Sequence, residues 1–228
     1  MKRILYTLIT ALLFCLSSHA QEMCEDTCSH VHGIDISHYQ GSVFWEAIGG
    51  NSKASYVYIK CTEGGDNQDS KYLGNIQIAK RYGLKVGSYH FYRPKTDQQT
   101  QLRNFMTQCR LDDQDLLPMI DIENAGGYNA SRFCDSLFKF IDLVEKEIKQ
   151  KPLLYTYKSF YNQYLAGKID GYPLMIACYT NDPPVLMDEK DYTMWQYTES
   201  GRIHGIKGHV DKSRFIGNHS LREIRFRH

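Results

Sequence analysis

The chain has 228 residues, with 27 Lys and Arg against 26 Asp and Glu, and 42% of its residues are hydrophobic. This length suffices for one large domain and leaves little room for a second. A net charge of +1 provides no basic field for nucleic acid, and the composition is that of a folded chain. A nucleic-acid partner and disorder are therefore excluded. The 17 Tyr, 10 Phe and 2 Trp suit either a large core or a sugar-binding groove, and composition does not choose between them.

The first part of the chain has the pattern of a cleavable secretory signal over residues 1–20. Two basic residues at 2–3 precede an apolar stretch over 4–16, and small residues at 18–20 complete the pattern. The apolar stretch is shorter than the roughly 20 residues that span a bilayer. We therefore expect an exported protein, periplasmic or extracellular, without stable membrane insertion after cleavage, and with residues 21–30 as a short N-terminal lead.

Cleavage would reduce the cysteines from seven to six, and an even number in an exported chain permits disulfides without fixing their pairing. Cys24 and Cys28, followed by His30 and His32, are zinc-type ligands, but their spacing matches none of the common structural zinc patterns. A local disulfide or free thiols are favoured there. The sequence has no Gly-rich phosphate loop and no strong metal-ligand cluster in the predicted barrel, so we expect no metal and no cofactor.

From residue 31, short β-branched or aromatic runs alternate with loops and helical stretches, which is typical of an α/β domain. The predicted strands cover residues 31–37, 55–62, 85–92, 117–123, 152–157, 174–179, 193–197 and 206–211. The predicted helices cover residues 72–82, 98–110 and 130–149. Eight strands predict a single closed, TIM-like barrel over 31–216. The basic tail over 217–228 is predicted to be solvated.

Acidic residues occur at the ends of several predicted strands: Asp35, Glu63, Asp121, Glu123 and Asp211. In a barrel of parallel strands the carboxyl ends meet at one face, where active sites lie. Asp121 and Glu123 are two residues apart and so share one face of their strand. Clustered carboxyls suit glycoside hydrolysis, because burial and repulsion raise the pKa of one acid while another stays ionised. For any single acid the alternative is a loop residue or a helix cap; their repetition on four strands favours a catalytic site.

Four aromatic residues, Tyr89, Tyr92, Trp195 and Tyr197, lie on or beside predicted strand ends. Their rings could stack on sugars and their polar atoms could bond an acetamido group. A core position is the alternative for each. Trp195 and Tyr197 share a face by the period of two, so we predict these two, together with Gln196, as cleft residues.

Six segments follow one another along the chain: Gly-Ile-Asp-Ile-Ser-His-Tyr-Gln-Gly at 33–41, Tyr-Ile-Lys-Cys-Thr-Glu-Gly at 58–64, Gly-Ser-Tyr-His-Phe-Tyr at 87–92, Asp-Ile-Glu at 121–123, Trp-Gln-Tyr at 195–197 and Val-Asp at 210–211. In this order they resemble the motifs of the glycoside hydrolase family 25 lysozymes. The resemblance covers 31–216. It implies a barrel of five β/α units followed by three strands with few helices, and an N-acetylmuramidase that cuts the β-1,4 bond between N-acetylmuramic acid and N-acetylglucosamine in peptidoglycan.

The resemblance also implies roles for the acids. Glu123 matches the proton donor, and Asp121 matches the partner that orients or stabilises the 2-acetamido group of the substrate. Asp35 and Asp211 match acids that line the same cleft, and Glu63 falls on the acid of the family signature. We favour substrate assistance with retention, in a monomer whose partner is the glycan strand. The alternatives are a silent peptidoglycan-binding protein and a hydrolase of another N-acetylhexosamine polymer such as chitin.

Overall fold

The computed structural model describes residues 32–50 and 54–228. The predicted signal over 1–20 and the lead over 21–30, with Cys24 and Cys28, lie outside the described residues. Among the helices of the described part, none has the length and apolar character needed to cross a bilayer.

One sheet organises the described chain. Its strands are β1 His32–Ile36, β2 Tyr56–Glu63, β3 Asn67–Gln68, β4 Lys85–Phe91, β5 Met119–Asp121, β6 Leu153–Tyr157, β7 Leu174–Ala177, β8 Met194–Gly201 and β9 Val210–Phe215. The two-residue strand β3 only extends the edge of β2. The other eight run in the order β1-β9-β8-β7-β6-β5-β4-β2, and β2 pairs with β1 to close the ring. The predicted eight-stranded barrel is therefore confirmed.

Each of the first five barrel strands is followed by a helix. These are α1 Trp45–Gly49, α2 Tyr72–Arg81, α3 Gln98–Gln108, α4 Ala130–Ile148 and α5 Lys158–Phe160, the last continuing into a π-helical turn at Tyr161–Leu165. Short 3-10 turns occur at His38–Gln40 and Leu111–Asp113. Loops without helices connect β7, β8 and β9 within the described chain. The expected series of five β/α units followed by three strands is present.

The boundaries of α4 follow from its sequence. The Asn129 side chain accepts a hydrogen bond from the backbone N–H of Arg132 at 3.0 Å and so caps the first turn. Phe133, Leu137 and Phe140 recur at helical spacing and are buried against the barrel. The apolar face is therefore core, as the spacing predicts.

The last barrel strand differs from the prediction. It covers Val210–Phe215 rather than 206–211 and runs antiparallel to both β1 and β8. Asp211 therefore lies near the beginning of its strand, not at the end. Because β9 runs in reverse, its beginning lies at the same face of the barrel as the carboxyl ends of the parallel strands. Asp211 therefore lies at the expected face, although its strand runs in the opposite direction.

Two tyrosine rings fill the interior of the barrel below this face. The hydroxyl of Tyr58 donates to the carbonyl of Leu117 at 3.1 Å, and the hydroxyl of Tyr56 bonds Ser213 Oγ at 3.0 Å. A Cβ atom at Gly33 would lie 1.9 Å from the Tyr56 ring, and one at Gly87 would lie 2.4 Å from the Tyr58 ring. Glycine at both positions is therefore required by the rings that pass beside it.

The C-terminal segment was predicted to be solvated, but the structure buries part of it. The Leu117 N–H donates to the Ile224 carbonyl at 2.8 Å, and the Phe226 N–H donates to the Asp115 carbonyl at 2.9 Å. Ile224 and Phe226 are buried, while Arg225 between them is exposed. This period-two alternation is typical of a strand with one buried face. The segment packs beside the chain that enters β5, at the end of the barrel opposite the carboxyl ends of the parallel strands.

Candidate active site

An open cleft lies at the carboxyl ends of the parallel strands. It is lined by Asp35, Ile36, Ser37, Tyr39, Gln40, Lys60, Tyr89, Phe91, Met119, Asp121, Glu123, Tyr155, Gln196 and Asp211. The structure thus brings the four predicted catalytic acids together from three strands that are distant in sequence. Of the six residues predicted to bind substrate, two, Tyr89 and Gln196, line the same cleft.

Asp121 and Glu123 form the centre of this cleft. Asp121 is the last residue of β5, and the Ile122 N–H continues the ladder by donating to the Tyr155 carbonyl at 2.9 Å. The alternation of the strand therefore extends to Glu123, and both carboxyl groups point inward. The two carboxyl groups interact, so the protonation of each affects the other. Burial raises the pKa of both groups, and the charge of Glu123 raises that of Asp121 further. The pair is thus suited to retain a proton.

Asp35 and Asp211 form a second acidic pair in the cleft. They are direct register partners across β1 and β9. Burial raises the pKa of Asp35 from 3.8 to about 7, and the charge of Asp211 adds to the shift. Burial likewise raises the pKa of Asp211 to about 7, with contributions from the charges of Glu199 and Glu123. Both groups therefore exchange protons near neutral pH.

Glu63 lies beside the cleft and is not among the residues that line it, so its contact with substrate stays a prediction. A bulge between Lys60 and Thr62 interrupts β2 and redirects the strand end. The Glu63 carboxylate accepts hydrogen bonds from Lys60 Nζ at 2.6 Å and from Arg93 Nε at 2.9 Å. Burial opposes ionisation, but these two cations outweigh it and lower the pKa of Glu63. The carboxylate thus holds the Lys60 ammonium in the cleft.

Tyr92 faces away from the cleft, and its prediction as a sugar-binding residue is wrong. Its ring is buried and stacked on Phe140 with centroids 5.3 Å apart, and its hydroxyl bonds Ser136 Oγ at 2.9 Å. Tyr89 and Tyr92 are three residues apart, so a strand places them on opposite faces. The strand can present only one of the two to the cleft, and it presents Tyr89.

Trp195 and Tyr197 also lie on the outer face of their strand, which corrects their prediction as cleft residues. The Trp195 Nε1–H donates to the Cys178 carbonyl at 2.7 Å, and the Tyr197 hydroxyl bonds His32 Nδ1 at 3.0 Å. The two side chains do share a face, as predicted. The intervening Gln196 occupies the other face, so only Gln196 can point inward.

The sequence interpretation missed several cleft residues, including Lys60, Phe91, Met119 and Tyr155. A period-two signal was available for two of them. Phe91 lies two residues from Tyr89, and Met119 lies two residues from Asp121.

Tyr39 was missed as well, and it follows β1 in a turn rather than a strand. Its ring is 80% exposed at the edge of the cleft and stacks on His38 with centroids 4.1 Å apart. Asp69 Oδ2 fixes His38, because it lies 2.8 Å from both the backbone nitrogen and Nδ1 of that residue. The turn therefore presents an aromatic face to solvent on a rigid support.

A closed β/α barrel with several buried carboxyl groups in a cleft at the carboxyl ends of its parallel strands has the arrangement of a glycoside hydrolase. The family model for glycosyl hydrolases family 25 matches residues 34–206, and the chain belongs to this family. It is 34% identical over 184 residues to an autolytic lysozyme of Clostridium acetobutylicum, covering 80% of this chain and 55% of that protein. It is 28% identical over 205 residues to Lysozyme M1 of Streptomyces globisporus, covering 83% and 69%.

Solved structures agree with this assignment. The bacterial lysozyme of Streptomyces coelicolor superimposes with a TM-score of 0.76 at 29% identity, covering 86% of this chain and 95% of that one. The family match ends before Asp211, so that acid enters the site through the fold rather than through the matched segment.

Proposed function

We propose that the protein cleaves the β-1,4 bond between N-acetylmuramic acid and N-acetylglucosamine in peptidoglycan, with Glu123 as the proton donor. The observation that carries this proposal is the pair of inward-facing carboxyl groups of Asp121 and Glu123, with pKa values raised by burial, in an open cleft. The printed names of the relatives, an autolytic lysozyme and Lysozyme M1, support the choice of substrate.

Glu123 has the environment of a general acid. Burial raises its pKa, which keeps the carboxyl group protonated at a pH where an exposed glutamate would be ionised. In the proposed reaction the Glu123 O–H gives its proton to the glycosidic oxygen as the bond from that oxygen to the anomeric carbon breaks. The resulting carboxylate then takes a proton from the water that completes hydrolysis.

Asp121 is suited to act on the 2-acetamido group of the sugar. Its Oδ1 is buried and has no hydrogen-bond partner among the described residues, a position that an acetamido N–H would satisfy. With the N–H held there, the acetamido oxygen can attack the anomeric carbon and form a cyclic intermediate, which water opens from the other side. This route retains the β configuration. An NMR time course showing the α-anomer as the first-formed reducing end would contradict it.

The cleft also suits a polymeric substrate. It is open to solvent, so a glycan strand can cross it, and Tyr39 and Tyr89 supply aromatic surface for sugar rings. We propose that the enzyme acts outside the cytoplasm, and the secretory pattern of residues 1–20 supports this location. We also propose that it acts as a monomer. No cofactor enters the proposed reaction.

The test is digestion of purified peptidoglycan by the wild type and by Glu123→Gln, with products reduced by borohydride and identified by mass spectrometry. We expect muropeptides ending in reduced muramic acid from the wild type and at least a ~100-fold lower rate from the variant. Glu147→Gln, an exposed glutamate on α4, is the matched control and should retain full activity.

Two outcomes would replace the proposal. If neither protein releases fragments although both bind the polymer, the chain is a silent peptidoglycan-binding protein. If chitin oligomers are cut faster than peptidoglycan, the substrate is a different N-acetylhexosamine polymer.

A further inference from the structure

Gln196 is buried among polar groups from three other segments of the barrel wall. Its Oε1 accepts hydrogen bonds from the hydroxyls of Tyr155 and Tyr179, each at 3.0 Å. Its Nε2 donates to Oδ2 of Asp35 at 3.0 Å. The three partners come from β6, the end of β7 and β1, so the amide of Gln196 in β8 connects four segments.

The charge of Asp35 fixes the orientation of the amide. The amide N–H donates to an ionised Oδ2, whereas the reverse orientation would bring Oε1 against Oδ2, which is favourable only when that oxygen carries a proton. The hydroxyls of Tyr155 and Tyr179 donate to Oε1 in the first orientation and could accept from the amide nitrogen in the second, so they hold the amide in place without choosing its direction.

The two carboxyl oxygens of Asp35 therefore differ in their hydrogen bonding. Oδ2 accepts from Gln196, whereas Oδ1 is buried and has no hydrogen-bond partner among the described residues. While Oδ2 accepts this N–H, a proton that binds Asp35 goes to Oδ1. The amide donor favours the ionised carboxylate, whereas the charge of Asp211 favours the protonated form. The other titratable groups that face Asp35 are Tyr56, Tyr58, Tyr89 and Asp121.

We propose that Gln196 is a positioning residue for Asp35: held between Tyr155 and Tyr179, its amide donates to Oδ2, leaves Oδ1 as the oxygen that takes the proton and sets the pH at which that proton leaves. The inference rests on the proposed function only in assigning a catalytic consequence to Asp35. It differs from the sequence prediction that Gln196 binds substrate directly.

The first test measures Asp35 without any substrate. Aspartate labelled with ¹³C at Cγ is titrated by NMR in the wild type and in Gln196→Met, and Asp35→Asn identifies the resonance. We expect Asp35 to titrate near pH 7 in the wild type and roughly one pH unit higher in Gln196→Met, since a donor to the charged form is lost. An unchanged titration in a folded variant would overturn the proposal.

A second set of variants keeps Gln196 and removes the hydroxyls that hold its amide. Tyr155→Phe or Tyr179→Phe alone leaves one hydroxyl on Oε1, so each should shift the Asp35 titration only slightly. The double variant leaves the amide free to turn away from Oδ2, and we expect Asp35 to titrate at higher pH, towards its value in Gln196→Met. An unchanged titration in the double variant would contradict a role of the two hydroxyls in holding the amide. These variants also keep the test available if Gln196→Met does not fold.

Activity supplies a separate measurement. If the chain digests peptidoglycan, the limb of the kcat/KM profile that depends on Asp35 should move to higher pH in Gln196→Met, and the shift should vanish in the Asp35→Asn background. A raised KM without a pH shift would instead show that Gln196 binds the glycan directly. If no digestion occurs at all, the proposed function fails while the NMR titration still decides the role of Gln196.

Discussion

Asp35 and Asp211 lie directly opposite each other across the antiparallel pair of β1 and β9, although 175 residues of chain separate them. Both carboxyl groups are largely buried, and the pKa of each is raised to about 7. Burial of two acids in one small region costs stability once they ionise. The cleft therefore couples the protonation of its acids to the stability of the barrel.

Stability should consequently fall as pH rises through this range. The pKa of Asp35 is about 7 in the folded chain, against its usual value of 3.8. Between these values the folded state holds a proton that the unfolded state has released, so raising the pH favours unfolding. For Asp35 this loss is on the order of 4 kcal/mol between pH 4 and 7. Asp35→Asn should remove it.

The measurement is denaturant unfolding of the wild type and Asp35→Asn at pH 4.5 and pH 8. We expect the variant to gain stability relative to the wild type at pH 8 and little at pH 4.5. Asp66→Asn, an exposed acid in the turn before β3, is the matched control. The same pH dependence in wild type and Asp35→Asn would show that Asp35 is ionised throughout.

Much of the fold could be predicted because its signals are local. The helix predicted over 130–149 is found at Ala130–Ile148, since its apolar period and its cap lie within the segment itself. The last strand was misplaced because the direction of β9 depends on its pairing with β1 and β8, which no local pattern records. The buried tail was missed for the same reason, since the partners of Phe226 lie near residue 115.

The acids of the site could be predicted, whereas several of its other residues could not. Asp121 and Glu123 share a face by simple alternation, and that rule holds in the structure. The same rule, applied strictly, would have separated Tyr89 from Tyr92 and Gln196 from Trp195. Tyr39 lies in an irregular turn, where no period applies, and its exposure follows from the anchoring of its neighbour His38 by a distant residue.

Lys60 should tune the pH range of catalysis. Its positive charge lowers the pKa of both Asp121 and Glu123 against the effect of burial. In Lys60→Met both pKa values should rise, so Glu123 would stay protonated to higher pH and Asp121 would ionise later. We expect the whole kcat/KM profile to move to higher pH. Lys146→Met, an exposed lysine on α4, should leave the profile in place. A loss of rate without a shift would indicate that Lys60 contacts substrate instead.

Tyr39 should contribute to glycan binding rather than to chemistry. Its exposed ring at the edge of the cleft can stack on a sugar, and burying roughly 40 Å² of apolar ring surface contributes about 1 kcal/mol. Tyr39→Ala should therefore raise KM by roughly 3- to 10-fold with little change in kcat, whereas Tyr39→Phe should behave as the wild type. Tyr82→Ala alters an exposed tyrosine after α2, at the other end of the barrel, and should change neither constant. Digestion rates measured across peptidoglycan concentrations decide the matter, and an unchanged KM in Tyr39→Ala would exclude a sugar contact.

The C-terminal segment should stabilise the barrel without affecting its cleft. Phe226 is buried against the chain that enters β5, at the end of the barrel opposite the acids. Phe226→Ala should lower the free energy of unfolding by about 3 kcal/mol and the Tm by roughly 6–12 °C. Arg225→Ala removes an exposed side chain from the same segment and should shift stability by no more than about 0.5 kcal/mol. Below the Tm, both variants should keep wild-type kcat/KM, because the segment lies away from Asp121 and Glu123. Equal melting temperatures for the wild type and Phe226→Ala would contradict this stabilising role. They would instead favour the solvated tail that the charges of the segment predict.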